Sequence, residues 1–220
     1  MEVFLEVYYP WLLALSSLSS AIPVVGGVLL LNKRSSLLFW LVFSYSILIA
    51  LAEFAAELTA YLGTNNNLWI DHLYTPLEFA LLAVIYYISF SRKLFKRGVV
   101  VAAVGFVLYS VLNSMLGQEV TQMNSVPHVI ESVLLISLAV LYFYQTVHSF
   151  AYIYLDRDPV FVLSCCLLIY QAGTSMSYAM FNRALADSYD TARMCITVIL
   201  VLNILFRIGL LLVLRRTRVA

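Results

Sequence analysis

Charged residues are scarce in this sequence. Only 11% of its 220 residues are Asp, Glu, Lys or Arg, whereas 63% are hydrophobic. A soluble domain usually carries about 25% charged residues, and a soluble fold of this length cannot bury so much apolar surface. The composition therefore excludes a soluble domain and predicts a protein whose apolar surface faces lipid.

Cysteine is also scarce, and the N-terminus lacks basic residues. The three cysteines, Cys165, Cys166 and Cys195, lie in apolar runs without Cys-x-x-Cys spacing. This pattern is typical of small buried side chains rather than of a metal or redox site. The first ten residues, MEVFLEVYYP, contain no Lys or Arg, so they lack the basic region of a cleaved signal peptide. We expect the first apolar run to be retained as a helix.

Long apolar runs dominate the rest of the chain. A membrane-spanning helix needs about 20 mostly apolar residues, and these runs are too long and too uniformly apolar for barrel strands. The sequence predicts an all-α polytopic membrane protein, with residues 1–220 forming one transmembrane domain, a seven-helix bundle. Pro23 and Pro76 fall inside predicted helices and are expected to kink them. The predicted helices are approximately 10–31, 37–62, 71–92, 98–117, 127–149, 159–183 and 191–214.

Lys and Arg are distributed unevenly between the two ends of the predicted bundle. Ten of the 13 fall at one end, Arg183 and Arg193 fall at the other, and Arg207 lies inside the last predicted helix. The positive-inside rule then places the N-terminus outside and the C-terminus in the cytoplasm. We expect a multi-pass protein of the bacterial cytoplasmic (inner) membrane. Because topology explains these basic residues, they do not indicate a nucleic-acid partner.

Acidic and histidine side chains cluster in the outer halves of the predicted helices. The stretch NNLWIDHLYTPLEF, residues 66–79, brings an Asp, a His and a Glu to the start of an apolar run. Glu53 and Glu57 are four residues apart, and His128 and Glu131 are three apart, so each pair shares a helix face. A carboxylate in hydrocarbon costs at least about 2.5–3.5 kcal/mol. These groups are therefore expected to face the bundle interior or a watery cavity.

We predict that these helices enclose an acidic, histidine-containing pocket that opens to the outside. Asn113, Gln171, Ser175 and Tyr178 are candidates to complete its lining. The predicted ligand-binding residues are Glu53, Glu57, His72, Tyr74, Glu78, His128, Glu131 and Arg193.

Two interpretations of this pocket stay open. In the first, the polar groups pair with one another, some carboxyls stay protonated, and the set serves helix packing. In the second, the pocket binds a lipid or a small cationic ligand, and the protein is a non-enzymatic sensor that signals through a membrane or cytoplasmic partner protein.

An enzyme and a transporter are the alternative functions, so the sequence leaves open whether the protein is an enzyme. His72, Glu78, His128 and Glu131 offer nitrogen and oxygen ligands of the kind zinc takes, although the His-x-x-Glu spacing of His128 and Glu131 is not diagnostic. A divalent metal such as zinc would fit a membrane hydrolase that acts on a lipid at the outer leaflet. A proton-coupled transporter would use Glu53 as its proton-carrying acid. The sequence itself leaves the cofactor unknown.

Short motifs resemble those of one group of membrane proteins. They include NNLWIDHLYTPLEF, a later helix ending in LYFYQ, and LDRDPVFVLSCCLLIY. With these motifs the chain resembles a group of small, uncharacterised bacterial seven-helix membrane proteins. The matching positions are His72, Tyr74, Thr75, Glu78, Glu131, Asp158 and Phe161. The resemblance implies a fold and a membrane location, and it implies no activity.

Overall fold

The computed structural model describes residues 4–34, 36–64, 67–116, 123–148 and 155–217, and these ranges contain helices but no strand. A π-helical turn, Phe4–Tyr8, precedes the first α-helix, and a 3₁₀ turn, Leu155–Arg157, precedes the seventh. The helices are α1 (Tyr9–Ser19), α2 (Ala21–Leu30), α3 (Leu37–Tyr61), α4 (Trp69–Ser89), α5 (Lys93–Leu116), α6 (Ser125–His148), α7 (Pro159–Asp187) and α8 (Tyr189–Arg216). The all-α prediction is confirmed.

Six stretches of the described chain are long and apolar enough to cross a membrane, the first of which contains both α1 and α2. Because helices of this kind satisfy their backbone hydrogen bonds internally, they can cross hydrocarbon, and the chain is a multi-pass membrane protein. The six stretches are Leu5–Leu30, Leu37–Tyr61, Lys93–Met115, Ser125–His148, Pro159–Asp187 and Tyr189–Arg216.

Helix α4 is outside this set of six, so the predicted count of seven spans is not confirmed. It is long enough, since 21 residues rise about 32 Å along a helix axis. Its composition sets it apart, because Asp71, His72 and Glu78 interrupt its apolar sequence.

Several helices begin where a side chain caps the backbone. The Ser36 hydroxyl accepts a hydrogen bond from the Phe39 N–H at 3.2 Å, and the Asp158 carboxylate accepts one from the Val160 N–H at 2.9 Å. Such caps satisfy donors that have no partner inside the first turn. Pro159, whose missing N–H is harmless at this position, opens α7 as predicted.

Helices α5 and α7 extend beyond their predicted bounds into charged segments. Helix α5 already begins at Lys93, and α7 continues to Asp187. Low hydropathy marks where the chain leaves lipid, whereas a helix can continue into water. The predicted ends at residues 117 and 149 lie outside the described residues.

The first predicted helix, 10–31, is two helices that meet at Ser20. Pro23 has no N–H to donate to the Ser19 carbonyl, four residues earlier, so the regular pattern fails there. Just before it, the Ser20 N–H donates to the Ser17 carbonyl, three residues earlier, at 3.1 Å. The Ser19 hydroxyl donates to the Ser16 carbonyl at 2.6 Å. The expected effect of Pro23 is therefore a break before it.

Helix α4 contacts α3, α5, α6 and α7, and one of its faces, which includes Leu73 and Leu77, is exposed. Helix α8 packs against α7, α1, α2 and α3, and α2 also touches α3. Consecutive helices are neighbours. The core includes Phe39, Phe79, Tyr86, Leu135 and Leu210, all fully buried.

Hydrogen bonds join neighbouring segments at one end of the bundle. Arg34 donates to the backbone carbonyls of Thr217 and Arg215, which joins the loop after α2 to the end of α8. Gln145 accepts from the Ser91 N–H at 2.8 Å and joins the end of α6 to the α4–α5 turn. These contacts lie at the lysine- and arginine-rich end, which we call the basic end.

Candidate functional site

A carboxylate–imidazole–carboxylate chain joins α4 to α6. The Nε2 atom of His128 lies 2.9 Å from Oδ1 of Asp71, and its Nδ1 atom lies 3.3 Å from Oε2 of Glu131. An imidazolium that donates to both carboxylates satisfies these contacts. A neutral imidazole also satisfies them if Nε2–H donates to Asp71 and Nδ1 accepts a hydrogen bond from a protonated Glu131 carboxyl. The chain can therefore hold a mobile proton.

The surroundings of this chain are buried and mostly occupied. The Tyr178 ring of α7 stacks on the His128 ring, with centroids 4.0 Å apart and planes 14° apart. Ser132 donates to Gln171 at 2.7 Å and joins α6 to α7 beside it. Glu131 is 1% exposed, and its Oε1 atom has no hydrogen-bond partner among the described residues. This oxygen is an acceptor for a proton, a water or a ligand.

Glu78 is buried on the same helix as Asp71, two turns further in. The Tyr45 hydroxyl of α3 donates to Oε1 of Glu78 at 2.5 Å, and both residues are buried. Glu78 therefore ties α4 to α3, while Asp71 ties α4 to α6.

His72 faces another helix. Its Nδ1 atom lies 2.9 Å from the Ser114 hydroxyl of α5. Because adjacent helix residues point about 100° apart, Asp71 and His72 serve different interfaces of α4.

The side chains predicted as a metal set do not form one cluster. Among the residues that the structure describes, no group of three or more His, Cys, Asp or Glu side chains could hold a metal ion. His72 and Glu78 bond to α5 and α3, whereas His128 and Glu131 bond to each other. The arrangement gives the metal interpretation no support.

A buried ion pair joins α8 to α3 and α1. Arg207, 3% exposed, donates to the Glu53 carboxylate and to the Ser16 carbonyl. It also donates to the Ser19 hydroxyl at 3.1 Å. Arg207 therefore bonds within the bundle.

A cavity of about 240 Å³ lies between α3, α4, α7 and α8. The ion pair reaches it through Glu53 and Arg207, and the carboxylate–imidazole chain reaches it through Asp71. Its polar and aromatic lining includes Glu53, Asp71, Tyr74, Tyr170, Tyr178, Asn203 and Arg207. Two acidic residues, one basic residue and three phenol rings thus share one small space.

Six of the eight predicted ligand-binding residues do not line this cavity. Four of the six are buried in the contacts described above, namely His72, Glu78, His128 and Glu131. The other two are exposed. Glu57, one turn beyond Glu53, is exposed. Arg193 is exposed and pairs with Asp190 at 3.6 Å, and its guanidinium lies 5.8 Å from the Tyr9 ring centre. Both positions are near helix ends, where the bundle is open.

Several residues of the site were not in the predicted set. Arg207, Tyr170 and Asp71 line the cavity, and Tyr45 holds Glu78. Asp71 could have been found from its spacing, because it lies seven residues, about two turns, before Glu78 on one face. The sequence carries no comparable signal for Tyr170, which lies among many aromatic residues.

Comparisons of the chain with protein-family models, curated proteins and solved structures found no match. The resemblance to bacterial seven-helix membrane proteins therefore stays a prediction.

Proposed function

We propose that this protein binds a small organic cation in the cavity between α3, α4, α7 and α8 and transmits binding as a change in helix packing. The main observation behind this proposal is that Tyr74, Tyr170 and Tyr178 line this cavity together with Glu53 and Asp71. Phenol faces attract an ammonium group within about 6 Å, and such aromatic surroundings recognise quaternary ammonium ligands. Carboxylates beside the rings supply the opposite charge.

The balance of charges supports a cationic ligand. The cavity and its adjoining chain contain the carboxyls of Glu53, Asp71 and Glu131. Arg207 and His128 are the cations paired with them, so three carboxyls face at most two positive charges. The remaining carboxyl must be protonated or meet a cation, because an uncompensated buried charge is costly.

Ligand binding would change helix packing because the ligand and His128 share a partner, Asp71. A cation beside Asp71 competes with His128 for the same carboxylate, and Tyr178 stacks on that imidazole. Binding therefore acts on the α4–α6 and α6–α7 contacts together. A ligand shifts a conformational equilibrium when it interacts differently with the two states, and this competition supplies such a difference. A partner protein would receive the signal.

We further propose that α4 crosses the membrane, giving seven spans in a bacterial cytoplasmic membrane, with the N-terminus outside. Its contacts with four other helices, α3, α5, α6 and α7, support this. The concentration of Lys and Arg at the basic end supports the orientation. The cavity is lined by Asn67, Leu68 and Met123, residues next to the loops of the opposite end. A ligand would enter from outside.

The alternative functions have less support. A metal-dependent hydrolase requires a ligand cluster, and the described residues offer none. A transporter with Glu53 as its proton carrier requires a carboxyl that exchanges its proton freely, whereas Glu53 is paired with Arg207.

Calorimetric titration of the detergent-purified full chain tests the proposal with two matched probes. Choline carries a quaternary ammonium, and 3,3-dimethylbutan-1-ol has the same shape without charge. We expect saturable choline binding and an affinity for the alcohol at least about tenfold weaker, a difference of about 1.4 kcal/mol. Equal affinity for the two probes, or no choline binding, would overturn the proposal.

Glu53 and Glu57 provide a matched pair of variants one helical turn apart. Glu53→Gln removes a cavity carboxylate and leaves Arg207 to repel the ligand, so choline affinity should fall about tenfold or more. Glu57→Gln is the same substitution at an exposed position, and it should leave the affinity unchanged. Equal effects of the two variants would mean that the cavity is not the binding site.

A further inference from the structure

A surface groove lies between α4 and α5 at the basic end. It has a volume of about 440 Å³. Tyr87 of α4 forms one wall, and Lys93, Lys96, Arg97, Val100 and Val101 of α5 form the other. Basic groups thus surround one end of a groove whose remaining wall is apolar.

The three cations lie on one face of the first two turns of α5. Their spacing of three and four residues places them side by side. Lys96 lies 5.2 Å from the centre of the Tyr87 ring. Among the described residues, the ion pairs of the protein involve none of these three side chains. Their charge is therefore available to an anion.

An apolar track continues from this basic cluster along α5. Val101 is 72% exposed, and Val104 and Leu108 are also exposed. Steps of three and four residues keep these side chains on one face, and the distance from Arg97 to Leu108 is about 16 Å along the axis. This is the length of a substantial part of one acyl chain.

We propose that the groove formed by Tyr87, Lys93, Lys96, Arg97, Val100 and Val101 binds an anionic phospholipid, with its phosphate at the basic cluster and one acyl chain along Val101, Val104 and Leu108. Basic pockets between membrane helices at the cytoplasmic side bind anionic lipid headgroups. The apolar track favours a lipid over a soluble phosphate. This site is separate from the cation cavity, which lies towards the other end of the bundle.

A second surface groove shows which features matter. It lies between α2 and α8, has a volume of about 540 Å³, and is lined by apolar side chains and one basic residue, Arg215. It offers an acyl chain the same apolar contact but gives a phosphate one cation where the α5 groove gives three. The basic cluster is thus the feature that selects an anionic headgroup.

Native mass spectrometry of the full-length protein tests this proposal. The protein is incubated with equal amounts of phosphatidylglycerol and phosphatidylcholine that have identical acyl chains. We expect phosphatidylglycerol to be retained about tenfold more than phosphatidylcholine, and glycerol 3-phosphate not to displace it. Equal retention of the two lipids would overturn the proposal, and displacement by glycerol 3-phosphate would identify a soluble-anion site instead.

Two double variants locate the site. Lys93→Gln with Arg97→Gln removes two charges from the groove, and its phosphatidylglycerol retention should fall to the level of phosphatidylcholine. Lys33→Gln with Arg216→Gln removes the same two residue types from exposed positions at the same end, and its retention should not change. All four side chains are exposed, so folding is not at risk. Equal losses of phosphatidylglycerol retention in the two double variants would mean that retention depends only on net charge, and would overturn the proposed site.

Discussion

Arg207 and Glu53 show how two costly residues stabilise each other in an apolar bundle. Arg207 is nearly fully buried, and the Glu53 side chain is 29% exposed. Each alone in hydrocarbon would cost at least about 2.5–3.5 kcal/mol. The pair also anchors α1, because Arg207 donates to the Ser16 carbonyl and the Ser19 hydroxyl.

A double-mutant cycle measures this mutual dependence. Glu53→Gln and Arg207→Met should each destabilise the protein, and the double variant should lose less than the sum of the two. We expect a coupling free energy of about 1–3 kcal/mol, measured by reversible unfolding in detergent. Asp190→Asn with Arg193→Met gives the control cycle, because that pair is exposed at 3.6 Å and should couple by less than about 1 kcal/mol. Similar coupling in both cycles would contradict a special role for the buried pair.

At the residue scale, the sequence predicts which side chains turn inward better than it predicts their partners. Glu78, His128 and Glu131 were placed inside the bundle because charge is costly in lipid, and they are buried. Glu53 and Glu57 share that reasoning, yet Glu57 is exposed. The partner of Glu53 lies 154 residues away, and the rotation of α8 that brings it there depends on packing throughout the bundle.

At the element scale, the contact of α7 with α8 is the most extensive between any two described helices. Gly209 of α8 faces Cys166 of α7, and a Cβ atom at position 209 would lie 2.6 Å from the Cys166 Sγ atom. Small residues at such contacts let membrane helices approach closely. Gly105 of α5 provides a contrast, because a Cβ atom there would meet nothing within 4 Å.

Valine substitutions at these two glycines should therefore differ. Gly209→Val forces α7 and α8 apart and should lower the free energy of unfolding by about 1–3 kcal/mol. Gly105→Val adds a side chain on an open helix surface and should change stability by less than about 1 kcal/mol. Thermal unfolding of both variants in the same detergent is the measurement. An equal loss for the two would mean that close packing at Gly209 does not stabilise the α7–α8 contact.

Helix positions were predictable at this scale, and helix ends were less so. Apolar runs fixed where each long helix lies, because lipid requires them. The start of α5 at Lys93 and the extension of α7 to Asp187 were missed, since hydropathy does not report helix structure in water. Helix α4 is the reverse case. Its polar side chains lower its hydropathy, although neighbouring helices shield those side chains.

At the scale of the whole molecule, the assignment of α4 decides the topology. The other described spans number six. If α4 also crosses, the loops before and after it lie on opposite sides of the membrane. If α4 does not cross, those loops lie on the same side, and the positive-inside pattern of the basic end no longer describes one face of the membrane.

Single cysteines on either side of α4 distinguish these two topologies. Thr64 and Ser91 are exposed and flank the helix, so each is replaced by Cys in a chain whose three native cysteines are changed to Ala. We expect a membrane-impermeant maleimide to label Thr64→Cys in intact cells and Ser91→Cys only after permeabilisation. Labelling of both in intact cells, or of neither, would exclude a spanning α4, whereas the reverse pattern would keep seven spans and invert the orientation. The first result would also place the cation cavity, which is lined by Asn67 and Leu68, towards the outside, because these residues lie next to the Thr64 loop.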